Sequence, residues 1–255
     1  MSILQPFKFV NQGSVFWFAL RTHFRVTSSN IGRALGLDVN ESRMAYWKRA
    51  VLGTPRKQPS EFVQECMAHG VKTEPIACES FWTLVPAGYT VVASPGVFVH
   101  PKDCTIAASP DGLVMGPDEK LVATLEIKCP YTGSWWLKSA FEMFSKKPQY
   151  YLQVQAQLQC TGAEFGFFYV YWLPTESQDS QPEETFKLIQ VRRDDVLWDL
   201  FINKEFERVY KVAFAHHFNK LRMAQGEKFS LMDKLMTSVH KSVVEIYDLS
   251  EALVV

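Results

Sequence analysis

The sequence predicts an α/β protein in which helices flank a central mixed β-sheet. Helical periodicity dominates the first part of the chain, and short strand-like segments then alternate with further helices. The composition agrees, because 47% of the 255 residues are hydrophobic. That is enough to bury a substantial core as one domain with appendages.

The predicted elements follow from periodicity, turn formers and caps. Helices are predicted at residues 28–36, 41–52, 58–69, 74–86, 134–144 and 148–161. Strands are predicted at residues 89–93, 97–100, 104–109, 112–116 and 121–129, and the continuous apolar run 164–172 predicts a buried strand. A polar turn at 175–184 precedes a strand at 186–191, an amphipathic helix runs from 194 to about 225, and helical periodicity returns from 231 to 246.

The charges of the chain balance, since 27 basic and 27 acidic residues give a formal net charge of zero. Any surface for a polyanion must therefore be local. Candidate basic stretches are residues 43–57, 138–147 and 204–222, and the third is better explained as an ordinary solvated helix face.

The five cysteines include no Cys-x-x-Cys pair, and their odd number argues against a complete disulfide framework. We therefore predict a reducing, intracellular compartment, with cytoplasm and nucleus both open. The sequence has no apolar run long enough to cross a bilayer and no signal-peptide pattern at its N-terminus. No membrane partner is predicted.

Acidic side chains are predicted to meet where a hairpin folds back on itself. Ser109-Pro110-Asp111-Gly112 comes directly before one predicted strand, and Leu125-Glu126-Ile127-Lys128 lies in the next. The segment 116–120 between these strands is rich in turn formers. Because side chains alternate along a strand, Glu126 and Lys128 share one face, toward which Asp111 folds back.

Two carboxylates and an ammonium on one surface fit metal-dependent hydrolysis of a phosphodiester. Mg²⁺ held by hard carboxylates provides a nucleophilic hydroxide at neutral pH and neutralises charge on the phosphorus. A neighbouring lysine assists the attacking water or screens the phosphate. The competing interpretation is a hairpin with solvated charges, since Glu-x-Lys is common on exposed strand faces. The Ser-Pro-Asp-Gly segment upstream favours the catalytic interpretation.

These motifs resemble those of the PD-(D/E)xK nuclease superfamily, and specifically its YqaJ-type viral recombinase group, typified by phage lambda exonuclease. Three further stretches carry the narrower resemblance, and with the hairpin they occur in family order between residues 15 and 173: Trp17-Phe18-Ala19-Leu20-Arg21 with Val26-Thr27-Ser28-Ser29, Gly70 to Ala77, and Tyr150 to Leu158. The resemblance implies a restriction-endonuclease-like core. We predict one nuclease domain over residues 1–225 and a C-terminal helical extension over residues 226–255.

The resemblance also implies roles for individual residues. Asp111 and Glu126 would hold the metal, with the Ile127 carbonyl as a further ligand. Lys128 would be the catalytic lysine, and Glu74 matches an additional active-site glutamate. The remaining assignments are Gln153, which matches a glutamine that borders the metal site, and a pocket for the 5′-terminal phosphate at Arg21, Ser29 and Ser109, with Ser28 as the alternative to Ser29.

Several of these residues have a competing structural interpretation. Glu74, just before Pro75, would favour the positive end of a helix that begins there. Gln153 and Gln157 share one helical face while Gln155 and Gln159 occupy another. This polar helix is therefore not expected to be buried all round, and solvent exposure alone would explain its glutamines. The segment 27–29 would cap the next helix, and Arg21 would pair with an acid or contact the DNA backbone generally.

The implied activity is that of a Mg²⁺-dependent deoxyribonuclease, a 5′-to-3′ exonuclease that acts on double-stranded DNA ends and leaves 3′ single strands for recombination or end processing. Mn²⁺ would substitute for Mg²⁺. One alternative is a related endonuclease that cuts DNA or RNA, and an alternative of another class is a non-catalytic recombination or annealing scaffold. The resemblance alone implies a homotrimer, and a single-strand annealing protein as partner.

Overall fold

Two β-sheets with helices packed around them make up the protein. The structure is a computed structural model that describes residues 7–8, 10, 12–55, 58–132, 138–173 and 185–253. The larger sheet has six strands, both parallel and antiparallel, and lies between helices. The predicted α/β class with a central mixed sheet is confirmed.

The strands are short at the N-terminus and longest in the middle of the larger sheet. They are β1 (Phe7–Lys8), β2 (Val26–Thr27), β3 (Thr90–Ala93), β4 (Gly96–Val99), β5 (Ile106–Ala108), β6 (Gly112–Met115), β7 (Leu121–Lys128), β8 (Phe165–Trp172), β9 (Thr185–Arg192) and β10 (Val243–Ile246). The α-helices are α1 (Val15–His23), α2 (Ile31–Leu35), α3 (Arg43–Leu52), α4 (Glu61–Leu84), α5 (Ala140–Lys146), α6 (Pro148–Thr161), α7 (Asp195–Leu197), α8 (Asn203–Phe214), α9 (Gln225–Ser242) and α10 (Leu249–Leu253).

The strand order of the larger sheet is β10-β9-β8-β7-β6-β3, and that of the smaller sheet is β1-β4-β5-β2. A short turn joins β6 to β7 and makes them antiparallel, which confirms the predicted hairpin. The chain between β7 and β8 contains α5 and α6, and this crossover lets the two strands run parallel. Strand β7 of the hairpin is therefore one of the two central strands of the sheet, with β8.

Strand β8 is buried on both faces, as its continuous apolar sequence predicts. One face packs Phe167 and Tyr169 with Phe81 of α4. The other face packs Phe168 and Val170 in the core that includes α6. The sheet thus separates two apolar clusters, with α4 on one side and α6 on the other.

Helix α6 begins with a proline and ends at Gly162, whose φ of 79° suits a glycine. The expectation that this polar helix keeps an exposed face is wrong, because Tyr151 to Leu158 are all buried. Gln155 is buried because its amide donates to the Tyr151 hydroxyl and to the Arg192 carbonyl. Burial costs little where each amide finds partners, and periodicity does not reveal such partners.

Helix α4 is one continuous helix where two were predicted, at 58–69 and 74–86. Pro75 lies inside it and removes a single backbone hydrogen bond. Packing of Ala77 and Phe81 into the core holds the helix together across this defect. Glu74 therefore lies far from the N-terminus of its helix, which rules out the macrodipole explanation for it.

The chain after β9 differs from its prediction in two places. The helix predicted from 194 to about 225 consists of α7, a π-helical turn (Trp198–Ile202) and α8, and it ends at Phe214. His216 then takes a left-handed φ of 57°, which stops the helix. Residues 243–246 form β10, not helix, because they pair with the edge of β9. The strands β1 and β2 were not predicted.

Three predictions fall wholly or partly outside the described residues. The predicted helix 134–144 is described only from residue 138, and its helix begins at Ala140. The whole predicted turn at 175–184 lies outside the described residues, as do Arg56 and Lys57 of the first basic stretch. In the described part of the chain, no helix is long and apolar enough to cross a membrane. All five cysteines are free thiols.

Candidate active site at the end of the hairpin

Asp111 stands directly before β6, at the open end of the β6–β7 hairpin. Its backbone N–H donates to the Leu125 carbonyl at 3.0 Å, and its Oδ2 accepts from the backbone N–H of Ile127 at 2.7 Å. Its Oδ1 accepts from the Nε2 of Gln12 at 3.2 Å. The main chain of β7 thus fixes this carboxylate beside the residue that follows Glu126.

Glu126 is buried beneath α6, with 1% of its surface exposed. Strand alternation puts Leu125 and Ile127 in the opposite apolar cluster, as predicted. The Oε1 of Glu126 accepts from the Nε2 of Gln153 at 2.5 Å and from the Nζ of Lys128, and its Oε2 accepts from the Nε2 of Gln157. Both carboxylate oxygens are therefore held by side chains.

Lys128 shares the face of Glu126, and 23% of its side chain is exposed. Its Nζ lies 5.5 Å from the centre of the Tyr150 ring. Burial opposes its charge, but the carboxylates of Glu126 and Asp111 outweigh burial and raise the pKa of its ammonium. Lys128 is therefore a permanent cation with one side open to a ligand.

Glu74 reaches the same place from α4. Burial, followed by the charge of Asp111, raises the pKa of Glu74 to about 7, while Lys128 acts in the opposite direction. Burial and the charge of Asp111 also raise the pKa of Glu126. Three carboxylates therefore repel one another here, and Lys128 compensates them only in part.

Two buried oxygens in this region have no hydrogen-bond partner among the described residues: the Oε1 of Gln12 and the Oε1 of Gln157. Each belongs to an amide that donates to a carboxylate, of Asp111 and Glu126 respectively. Excess negative charge beside unused oxygen acceptors fits a hard divalent cation with its water. No three His, Cys, Asp or Glu side chains of the described chain form a ligand cluster, so the predicted ligand set depends on the Ile127 carbonyl.

A second group of side chains adjoins the carboxylates and comes from α1 and the turn that follows β2. The Nη2 of Arg21 donates to the Oγ of Ser29 at 2.6 Å and to the Oγ1 of Thr27 at 3.2 Å. Its guanidinium stacks 4.1 Å above the ring of Trp17. The indole N–H of Trp17 donates to the Oγ of Ser109 at 2.9 Å. Arg21 therefore contacts Ser29 directly and is connected to Ser109 through Trp17.

Of the two candidate serines, Ser29 is exposed and bonded to Arg21, whereas Ser28 is buried. The segment also begins a 3₁₀ turn (Ser28–Asn30) before α2, where the Asn30 side chain accepts from the Thr27 backbone N–H at 2.7 Å. Capping and the contact with Arg21 thus occur together. Burial lowers the pKa of Arg21, and the charges of Glu126 and Asp111 oppose this, which puts the guanidinium within their electrostatic reach.

The structure brings all nine predicted site residues into one region. Sequence reasoning missed Gln12, Thr27 and Gln157 as contacts of Asp111, Arg21 and Glu126. Gln157 could have been found, because it follows Gln153 by four residues on the same helical face. Gln12 gives no such signal, since only the tertiary fold brings it to Asp111.

The basic stretches contribute less than expected. Arg43 is buried and paired with Glu205 and Glu227, so it is not part of a surface for nucleic acid. In the third stretch, Arg208 and Lys211 pair with neighbouring glutamates of α8, as the solvated-face interpretation predicts. Among the described residues, Lys128 and Arg21 are cations whose pKa the charges of Glu126 and Asp111 raise against the effect of burial.

Fold and site together define a nuclease of the PD-(D/E)xK type. A sequence profile for the YqaJ-like viral recombinase domain matches residues 16–164, and the chain belongs to this family. The predicted enzyme class, a phosphodiesterase, is thereby confirmed, and the nucleases of this family depend on a metal ion.

Solved structures agree. An alkaline exonuclease from Laribacter hongkongensis, LHK-Exo, is 27% identical, with 82% of this chain and 96% of that one covered and a TM-score of 0.56. Its complex with dAMP gives the same identity and coverage, with a TM-score of 0.58. A phage-related exonuclease from Haemophilus somnus 129PT shares the fold at 17% identity, with 78% and 95% covered and a TM-score of 0.54. Comparison with curated proteins gives no match.

Proposed function

We propose that this protein is a Mg²⁺-dependent exodeoxyribonuclease that degrades duplex DNA from its 5′ ends and leaves 3′ single strands. One observation carries the proposal. Ser109, to which Trp17 of the Arg21–Trp17 pair donates, lies two residues before Asp111 in the same short segment. A group that would bind a terminal phosphate and a group that would hold the metal thus lie at a short spacing in the chain.

Asp111, Glu126 and the Ile127 carbonyl would hold the metal, which supplies a low-pKa water and charge for the pentacovalent phosphorus. Gln153 and Gln157 orient the Glu126 carboxylate, and the Ile127 N–H orients that of Asp111. Lys128 provides a fixed positive charge beside the scissile phosphate. Glu74, with its raised pKa, is suited to hold or release a proton near pH 7.

Arg21 would bind the terminal phosphate with its planar fork, together with the hydroxyls of Ser29 and Ser109. Stacking on Trp17 holds the guanidinium in one plane, so little side-chain entropy is lost on binding. Support comes from LHK-Exo, which is described as an alkaline exonuclease and has been crystallised with the nucleotide dAMP. A deoxynucleoside monophosphate is a product of exonucleases of either polarity, so this complex supports release of mononucleotides, and the direction rests on the Arg21 group.

One digestion time course tests the proposal. Linear duplexes with a 5′-phosphate or a 5′-hydroxyl, and a closed circle, are each incubated with Mg²⁺, with Mn²⁺ or with EDTA. We expect fast release of mononucleotides from phosphorylated ends with either metal, slow release from hydroxyl ends, and an intact circle. Cleavage of the circle would show that the enzyme is an endonuclease. Full activity in EDTA would show that cleavage does not require a metal ion.

Assembly into a homotrimer around DNA, with a single-strand annealing protein as partner, is a separate proposal that rests on the family resemblance. A ring would keep the enzyme on one duplex without ATP. Light scattering during digestion tests it. A strict monomer that degrades long duplexes processively contradicts the ring.

A further inference from the structure

Helix α1 exposes aromatic rings beside the Arg21 group. Phe16 is 63% exposed and Phe18 is 58% exposed, although both are large apolar side chains. Their helix is otherwise well anchored, because Trp17 and Leu20 are buried. Exposed aromatic rings next to a functional site are a common mark of a ligand surface.

The two rings differ in their relation to Arg21. Phe18 precedes Arg21 by three residues, so the two side chains are neighbours on the helix surface. Phe16 precedes Arg21 by five residues and lies about 140° around the helix from it. One exposed ring thus borders the Arg21 group, and the other points away from it.

Contacts through Trp17 confirm this neighbourhood. The Phe18 ring meets the Trp17 ring edge-on, with ring centres 4.9 Å apart and planes at 81°. The Arg21 guanidinium lies over the same indole at 4.1 Å. The guanidinium and the Phe18 ring therefore contact the same indole and lie no farther apart than the sum of these two distances. A phosphate and the base of the same nucleotide lie at a comparable spacing.

We propose that Phe18 is a stacking subsite for the base of the nucleotide whose phosphate Arg21 binds. This inference rests on the proposed function and adds a base contact to its phosphate contact. Stacking on an aromatic ring accepts every base, because each base has a π-face. The subsite therefore strengthens binding of the terminal nucleotide without making the enzyme sequence-specific.

A protein partner covering α1 is the competing occupant. Such a partner would cover the whole apolar face, which includes Val15 at 87% exposure and Phe16. A base bound at the Arg21 group would contact Phe18 alone. Continuity with Arg21 favours the base, and Phe16 provides a matched control of the same residue type on the same helix.

The test is a double-mutant cycle in which one change is made in the protein and the other in the substrate. Duplexes carry a 5′-phosphate on a terminal residue that is either a normal nucleotide or an abasic one. Rates of first-nucleotide release are measured for the wild type and for Phe18→Ala, Phe18→Trp and Phe16→Ala. Thermal unfolding checks that each variant is folded, which the exposure of both rings leads us to expect.

We expect Phe18→Ala to slow release of the normal nucleotide about fivefold to a hundredfold, the range for loss of one base–aromatic stack. The abasic residue should be released at the same rate by Phe18→Ala and wild type. Phe18→Trp should behave as wild type, Phe16→Ala should keep full sensitivity to the base, and the four normal bases should differ little.

Equal losses on normal and abasic ends, or an equal effect of Phe16→Ala, would overturn the subsite. A change in oligomer size with Phe18→Ala and no base dependence would assign the ring to a protein interface instead. The wild type, compared on 5′-phosphate and 5′-hydroxyl ends, separately tests the proposed function. If the wild type did not prefer 5′-phosphate ends but Phe18→Ala still reduced release of the normal nucleotide alone, the phosphate pocket would be wrong and the stacking subsite would stand.

Discussion

The two halves of the candidate site are built in opposite ways. The carboxylate half contains Asp111, Glu126 and Lys128 and lies at the end of a hairpin in the larger sheet, where backbone and amide hydrogen bonds hold it. The end-binding half contains Arg21 and Ser29, which come from a short helix and a turn and are joined by side-chain contacts. Glu126 is buried and Asp111 and Lys128 are partly buried, whereas Ser29 is exposed.

This difference follows from what each half must do. Groups that stabilise charge in a transition state gain from burial and fixed geometry, since they then need no reorganisation. Groups that select a DNA end must stay accessible until the end arrives. Damage to the carboxylate half should therefore remove turnover on every substrate, and damage to the end-binding half should change which ends are used.

The largest effect is expected for the carboxylate half. Lys128→Ala should reduce cleavage of all ends by about a thousandfold or more, with DNA binding largely retained, because its charge acts mainly in the transition state. Asp111→Ala and Glu126→Ala should behave alike, and their combined losses should be far from additive. Single-turnover cleavage measures this.

Lys120→Ala is the matched control for Lys128→Ala, because Lys120 is an exposed lysine at the turn end of the same hairpin and pairs with Asp118. It should keep wild-type activity. A folded Lys128→Ala protein with more than about a tenth of the wild-type rate would contradict the assigned site.

The glutamines of α6 sharpen the comparison. Gln157→Leu removes the amide that holds the Oε2 of Glu126, so the Mg²⁺ concentration for half-maximal activity should rise about ten- to a hundredfold. The rate at saturating Mg²⁺ should change less. Direct titration of Mg²⁺ by calorimetry gives a second readout that does not depend on turnover.

Gln155→Leu is the control for Gln157→Leu, because Gln155 is equally buried in the same helix but bonds to Tyr151 and Arg192. It should lower thermal stability and leave Mg²⁺ affinity unchanged. Equal losses of Mg²⁺ affinity in the two variants would mean that Gln157 serves only the packing of α6.

The sequence predicts the carboxylate half better than the end-binding half, for a physical reason. Asp111, Glu126 and Lys128 lie on one hairpin, where turn formers and strand alternation alone bring them together. The Arg21–Trp17–Ser109 contact joins residues 92 positions apart in the chain. Local patterns contain no information on such a contact, and only the family resemblance implied it.

Two errors have the same origin. The polar sequence of α6 predicts an exposed face, yet Gln153 and Gln157 are buried because the Glu126 carboxylate accepts hydrogen bonds from their amides. Helix α4 appeared broken at Pro75, yet Ala77 and Phe81 anchor it beyond the proline. In both places tertiary partners outweigh local propensity. The edge strand β10 belongs with them, since pairing with β9 overrides its helical periodicity.

A selective effect is expected for the end-binding half. Arg21→Ala should slow digestion of 5′-phosphorylated ends about ten- to a hundredfold, because loss of a charge-assisted contact costs about 1.5–3 kcal/mol. Ends with a 5′-hydroxyl should change little. Arg21→Lys keeps the charge but loses the planar fork over Trp17, so it should recover only part of the rate. Equal slowing of both ends would make Arg21 a general contact to the DNA backbone.

The smallest effect is expected for the pH dependence of thermal stability without metal, and it arises from the charge of Glu74. The pKa of Glu74 lies near 7 instead of its ordinary 4.5, so its ionised form is disfavoured in the folded, metal-free protein. The stability that this provides is complete below about pH 4.5 and is lost as the pH rises through 7. In EDTA, the midpoint of thermal unfolding should therefore fall by about a few degrees from pH 6 to pH 8.

Mg²⁺ should raise the unfolding midpoint more at pH 8 than at pH 6, because protons compete with the metal for the same carboxylates. Glu74→Gln should flatten the fall seen in EDTA, since it removes one of the groups that titrate. Differential scanning fluorimetry at the two pH values, with and without Mg²⁺, measures all of these shifts. An equal Mg²⁺ effect at both pH values would mean that these carboxylates do not bind the metal. The assignment of the carboxylate half would then be wrong, whereas that of the end-binding half would be unaffected.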